Sequence, residues 1–344
     1  MTVEPQKKTI KVFILLGQSN MVGMGKVQGE NTDGTLEYAV KTKKRYPFLV
    51  EENGGWKKVI DNRVRNVFTM GSGLDVNDKN IKKNEWLTVE HSQTIGPEIG
   101  IGYILGKSLK LPDSCHHDND DDIMVLKSCI GNRSLAWDLL PPGSPSFECI
   151  DVKDKKKYHY AAYKESPSRW EVGKQPKPDP KWYAGEQYDG DINRIKEVLS
   201  DLSKYIPDAS TTTTCEIAGF FWWQGDKDRY DINYANHYKE NLIRLIRQLR
   251  VEFASPDAKF VLATLGQTSK ESEESKGADR LIFNAQMEVP ELNEFVGNTS
   301  CVYSKPFCHG GASNSHYNHN AETYMDVGLE MGRVMTNLID ASDK

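Results

Sequence analysis

The chain is short of the features that mark disulfide-built, nucleic-acid-binding or membrane-spanning proteins. Its 344 residues hold six cysteines (Cys115, Cys129, Cys149, Cys215, Cys301 and Cys308), and no two form a CxxC pair. That is too few to build a disulfide scaffold at this length. Cys129 and Cys301 fall at the ends of apolar runs, where a buried free thiol is common. Cys301 and Cys308 flank a loop that an oxidising compartment could bridge. There is no dense basic block: 44 Lys and Arg stand against 49 Asp and Glu, for a net charge of −5. A nucleic-acid partner and an anionic membrane surface are therefore not expected. No apolar run approaches the roughly 20 residues needed to span a bilayer. The first apolar run, residues 9–16, is short and passes straight into a polar turn without a small-residue cleavage site, so no signal peptide is expected in it. A soluble chain follows, with its compartment open and secretion compatible with a leader removed earlier. Internal repeats are absent, and biased tracts are limited to residues 118–122 and 211–214.

What is present is an alternation of buried strands and amphipathic helices. Residues 10–16, 123–127, 217–223 and 259–265 read as strands, with a weaker one at 301–303. Val12-Phe13-Ile14-Leu15-Leu16 has no polar alternation, the pattern of a strand covered on both faces. Helical faces recur at spacings of three and four in Ile192, Ile195, Val198, Leu199 and Leu202, and in Tyr234, Tyr238, Leu242, Leu245, Ile246, Leu249 and Phe253. Tyr324, Val327, Met331, Val334 and Leu338 continue the pattern, with Asn320 as an N-cap. The reading is one α/β domain over residues 1–344, with a parallel sheet and helices on both faces.

Two polar stretches, about 26–90 and 138–190, break the alternation and read as insertions on the carboxyl-edge side of the sheet. Trp137, Tyr158, Tyr160, Trp170, Trp182 and Tyr183 lie in or next to the second. They suit either stacking on sugar rings or a mini-core that holds the insertion together.

Chemistry gathers at the strand ends. The first strand ends in Gly17-Gln18-Ser19-Asn20-Met21, and the second in Cys129-Ile130-Gly131-Asn132-Arg133. The third ends in Trp223-Gln224-Gly225-Asp226, while the last leads to Ser315-His316-Tyr317-Asn318 ahead of the final helix. In an open parallel sheet these ends meet on one edge, where ligands bind. A serine hydroxyl is a weak nucleophile until a histidine takes its proton, and that histidine needs an orienting group. Ser19 is the candidate nucleophile and His316 its base. The Ser19 and Gly131 N–H groups and the Gln224 amide are candidate oxyanion donors. Gln18, Asn20, Arg133 and Trp137 are candidates for contacting substrate. His309, His316 and His319 match no common zinc spacing, so no metal and no cofactor are expected.

These blocks, in this order, resemble the SGNH (GDSL-like) hydrolase superfamily. More narrowly, they are similar to its sialate O-acetylesterase-like and carbohydrate esterase family 6 (acetylxylan esterase) branch, in which Gly-Gln-Ser-Asn-Met is the nucleophile block. Ile95-Gly96-Pro97-Glu98, at the start of a helix, looks like another recurring segment of that branch. The resemblance implies a three-layer α/β/α sandwich of the flavodoxin-like kind, with about five mostly parallel strands. It also implies an acetylesterase acting on acetylated carbohydrate or glycan. A non-catalytic carbohydrate-binding relative and an esterase for another acyl group are the competing readings. One departure stands out. Most members carry the catalytic acid three residues before the histidine, where this chain has Ser313. The resemblance makes Asp226 the first candidate for that acid and Asp228 the second. A Ser-His dyad relying on a backbone carbonyl is the third arrangement.

Overall fold

The unbroken apolar run of the N-terminal region forms β1 (Thr9–Gly17), the middle strand of a seven-stranded sheet. The computed structural model describes residues 8–60, 63–109, 123–151, 154–207, 209, 213–271, 277–310 and 315–342. After β1 come the one-turn helix α1 (Ser19–Val22) and strands β2 (Gly25–Lys26), β3 (Val64–Thr69), β4 (Ile81–Trp86) and β5 (Thr94–Ile95). Helix α2 (Glu98–Ser108) leads to β6 (Ile123–Ser128), and β7 (Phe147–Ile150), β8 (Lys157–Tyr160) and β9 (Arg169–Glu171) follow. The remainder is α3 (Glu186–Ser200), β10 (Thr214–Trp223), α4 (Ile232–Glu252), β11 (Lys259–Ala263), α5 (Ala278–Glu288), β12 (Thr299–Val302) and α6 (Ala321–Ser342).

The main sheet runs β12-β11-β10-β1-β6-β3-β4, parallel throughout except for β4, which pairs antiparallel with β3. Successive β1 side chains serve opposite cores, as a two-layered burial requires. Phe13 and Leu15 join α2 and α6 on one face. Val12, Ile14 and Leu16 join α3, α4 and α5 on the other. Trp222 and Trp223 divide the same way, one in each core and both fully buried. The mostly parallel α/β/α sandwich expected from sequence is therefore present. Beyond β1 the chain fills one side of the sheet and then the other, so the carboxyl end of β1, between β6 and β10, is a topological switch point, the usual place for a crevice.

The expectation of about five strands needs correcting to seven. Both additions lie in the 26–90 stretch, whose polarity concealed them. In β3 the buried Arg65 reaches Asn84 of β4, donating from Nη2 to its main-chain oxygen at 2.9 Å and to Oδ1 at 2.6 Å. Strand β4 (IKKNEW) is an edge, and its lysines and glutamate suit a strand that must not recruit another sheet. The 138–190 stretch holds a three-stranded antiparallel sheet, β7-β8-β9. Next to it Leu140, Ala161 and Ala184 form a small core against which Trp137, Tyr163 and Trp170 pack. Among the described residues no helix is long and apolar enough to cross a membrane. Cys129, Cys149, Cys215, Cys301 and Cys308 are free thiols, while Cys115 lies outside the described residues.

Candidate active site

Strand β1 ends against β10 so tightly that a Cβ on Gly17 would stand 2.5 Å from the Trp223 carbonyl oxygen. Only glycine tolerates that approach. The chain then turns through Gln18 into α1, placing Ser19 at the first helical position. Gln18 is a brace as much as a site residue: it is 1 % exposed, and its Oε1 accepts from the Gly225 N–H at 3.4 Å and the Lys227 N–H at 3.2 Å. The nucleophile turn is thereby tied to the turn after β10.

Ser19 itself is 7 % exposed, and among the described residues its hydroxyl has no hydrogen-bond partner. Its backbone N–H is one of the orphan donors every helix start leaves. Gly131 lies beside it, since a Cβ built there would be 3.5 Å from the Ser19 Cβ. Among the described residues the Gly131 N–H also lacks an acceptor. Two unspent backbone donors thus flank one unspent hydroxyl.

Gln224 is engaged differently from the oxyanion role expected of it. Its Nε2 donates to the Arg133 carbonyl at 2.9 Å and to Asp228 Oδ2 at 2.6 Å, which uses both amide hydrogens. Its Oε1 accepts from the Tyr238 hydroxyl at 3.0 Å. The amide therefore holds the Gly131 loop in place from behind. Asp228 completes that brace, accepting from the Leu135 and Ala136 N–H groups, each at 2.9 Å. With its carboxylate fully buried and shared among three donors, Asp228 is committed to the loop. Burial pushes its carboxyl up to about 6, and those three hydrogen bonds only partly offset the desolvation.

Asp226 accepts from Arg229 Nε at 2.8 Å and from Gln267 Nε2 at 3.1 Å. It makes no hydrogen bond to His316 in this structure. Its negative charge still reaches the ring, opposing the burial and the His319 charge that together hold His316 below its ordinary value of 6.5. Arg133 donates from Nε to Gln187 Oε1 at 3.1 Å and from Nη2 to Ser72 Oγ at 2.9 Å, with its guanidinium 4.9 Å from the centre of the Trp182 ring. Ser313 and Asn314 lie outside the described residues.

The histidines ride on an unusual backbone. His316, Tyr317, Asn318 and His319 all have positive φ, from 51° to 59°. Each non-glycine residue in that region costs about 1–2 kcal/mol, and such outliers gather at functional sites. The turn is held by Tyr317, 1 % exposed, whose hydroxyl accepts from Asn20 Nδ2 at 3.3 Å. Asn20 adjoins Ser19 and Tyr317 adjoins His316, so this one bond brings the two candidate residues' turns together. Asn320 caps α6, its Oδ1 accepting from the Thr323 N–H at 3.2 Å.

The part that one histidine can play at this edge is not legible in the sequence. His319 Nδ1 lies 3.2 Å from the Met24 carbonyl oxygen. A carbonyl can only accept, so Nδ1 carries a proton, and in the neutral form of the ring Nε2 would hold the lone pair. His316, by contrast, has no ring hydrogen bond among the described residues; its ring stands 5.9 Å from that of His319. The signal available was position: a histidine immediately ahead of the helix cap must sit at the same sheet edge. Among the described residues no group of three His, Cys, Asp or Glu side chains is arranged to hold a metal ion.

An α/β/α sandwich with a serine at the switch point, backbone donors beside it and histidines opposite defines a hydrolase-like site. Residues 168–337 match the family described as "carbohydrate esterase, sialic acid-specific acetylesterase". Over those residues, just under half of its length, the chain is similar to sialate O-acetylesterase-like members of the SGNH hydrolases. A solved protein from Arabidopsis thaliana shares its fold with a TM-score of 0.53 and 16% identity, over 96% of this chain and 98% of that one. A carbohydrate acetylesterase from Xanthomonas citri is similar with a TM-score of 0.52 and 13% identity, over 96% of this chain and 56% of that one. No curated protein matches the chain.

Proposed function

We propose that this chain is a metal-independent serine esterase that removes O-acetyl groups from carbohydrate. The observation that carries the reading is the pairing of Ser19 with two free backbone N–H groups, its own and that of Gly131. Ser19 Oγ attacks the acetyl carbonyl while a histidine removes its proton. The two N–H groups receive the oxyanion, and the same histidine then protonates the departing sugar oxygen. Water, activated by that histidine, releases acetate from the acyl-enzyme. Preorganised oxyanion donors are worth about 10²–10³ in rate each. Gln224 and Asp228 serve by keeping the Gly131 loop rigid.

His316 is the base in the first reading, with Asp226 supporting its cationic form through space. A second reading is favoured by the Met24 contact, in which His319 is the base and a main-chain carbonyl orients it. Replacing each histidine singly by glutamine separates them, since the larger loss of kcat marks the base. The acetylesterase reading itself is tested with Ser19→Ala on p-nitrophenyl acetate and on O-acetylated sialic acid and xylo-oligosaccharides. Turnover should vanish with the fold intact, and an organophosphonate should label Ser19 in the parent chain. Undiminished hydrolysis by Ser19→Ala, or a parent that hydrolyses only long-chain esters, would overturn it. A parent that binds acetylated sugar but neither turns over nor takes the label is the carbohydrate-binding relative instead.

A further inference from the structure

Four left-handed residues in a row do not hold themselves in place, and the side chain at their centre is the one that is anchored most deeply. The Tyr317 ring lies nearly parallel to Trp223 of β10, at 5.7 Å and 16°, and meets Tyr324 of α6 edge-on at 6.1 Å. Its hydroxyl collects two donors from two other loops: Asn20 Nδ2 on the nucleophile turn, and the Gly266 N–H after β11 at 3.2 Å. Gly266 is packed so closely on this ring that a Cβ there would stand 2.8 Å from Tyr317 Cε1. One phenolic oxygen therefore joins the turn that carries Ser19, the loop after β11 and the turn that carries both histidines.

We propose that Tyr317 is the positioning residue of this site, its hydroxyl setting the separation between the Ser19 turn and the His316–His319 turn. The proposal rests on the Ser19 esterase reading and holds whichever histidine is the base, because both share the pinned turn. It follows from how steeply proton transfer and attack depend on distance: a displacement of about 1 Å can cost 10²-fold in rate without altering how substrate is held.

Tyr317→Phe isolates the oxygen, because the ring keeps its place against Trp223 and Tyr324. Active sites are first counted with an organophosphonate, so that any misfolded fraction drops out. Per labelled site, kcat on p-nitrophenyl acetate should fall by roughly 10–10²-fold while KM stays within about twofold, and the rate of labelling should fall in parallel. Ser19→Ala is assayed alongside. A kcat per site within twofold of the parent overturns the positioning role, as does a rise in KM that accounts for the whole loss. If Ser19→Ala remains active, the nucleophile reading fails and takes this one with it; if only Tyr317→Phe keeps parental kcat, the positioning role fails alone. Should Tyr317→Phe not fold, Asn20→Ala cuts the same bond from the other side. The same kcat loss is expected there, and parental kcat overturns the proposal.

Discussion

At the scale of single residues, the chemistry turns on how a histidine near Ser19 is kept neutral yet ready to accept a proton. Burial and the neighbouring His319 disfavour charge on His316, while Asp226 favours it, and the net direction is below 6.5. A general base works only when deprotonated. If His316 is that base, the acid limb of the kcat/KM profile should have its midpoint below 6.5; a midpoint above that value would assign the base elsewhere. Asp226→Asn should move the limb to still lower pH, because it removes a charge that raises the value. Its effect on kcat also measures the kind of support given. A carboxylate hydrogen-bonded to its histidine costs about 10⁴ in kcat when made an amide. One acting through its field alone, with Arg229 and Gln267 both donating to its Oδ1, is expected to cost nearer tenfold, about 1.4 kcal/mol. Steady-state kinetics on an activated acetyl ester decides between them.

At the scale of elements, the site is an agreement among loops that different strands supply. Asp228, after β10, receives the N–H groups of Leu135 and Ala136 from the loop after β6, and Gln224 joins both. In Asp228→Asn the new amide has only one accepting oxygen for three buried donors. With about 1–3 kcal/mol for each donor left unpaired, chemical denaturation should show a loss of about 2–4 kcal/mol, and activity should fall as Gly131 loses its support. The sign of the pH effect is also fixed. The folded carboxyl titrates at about 6 and the ordinary value is 3.8, so between the two the folded state binds the proton more tightly. This group's share of stability therefore grows as pH falls from 6 to 3.8, and Asp228→Asn should abolish that share. The strand ends carrying Ser19, Gly131 and Gln224 were legible in the sequence because uninterrupted apolar runs announce doubly covered strands, and the residues after such runs lie at one edge. Strands β3 and β4 were not, since Arg65, Asn66 and the β4 lysines and glutamate break the apolar pattern, and the Asn84 contacts that accompany burial of Arg65 lie on the neighbouring strand. The Gln267 partner of Asp226 and the Met24 contact of His319 were beyond reach for the same reason. They depend on where loops distant in sequence come to rest.

At the scale of the whole molecule, the nucleophile turn is fastened from the side opposite Tyr317 by a buried charge pair that links the sheet to the α2 layer. Lys127 points from β6 toward α2, is 2 % exposed, and donates from Nζ to Glu98 Oε2 and to the Val22 carbonyl oxygen, each at 2.8 Å. The ammonium also lies 4.3 Å from the centre of the Phe68 ring. Glu98 in turn accepts from the Gly96 N–H at 3.0 Å, at the start of α2. The last carbonyl of α1, the helix that begins with Ser19, is thus held by a side chain of the central sheet. Burying such a pair gives little net stability, because desolvation consumes most of the attraction, but breaking it leaves a charge with no partner. Lys127→Met should therefore cost about 3–5 kcal/mol, whereas Lys127→Met combined with Glu98→Leu should recover much of that stability. Catalysis should not recover with it, because neither apolar side chain can donate to the Val22 carbonyl. Denaturation and esterase assays on the single and double variants read these two effects separately. A double variant that regained full kcat as well as stability would show that the pair supports the fold without positioning Ser19.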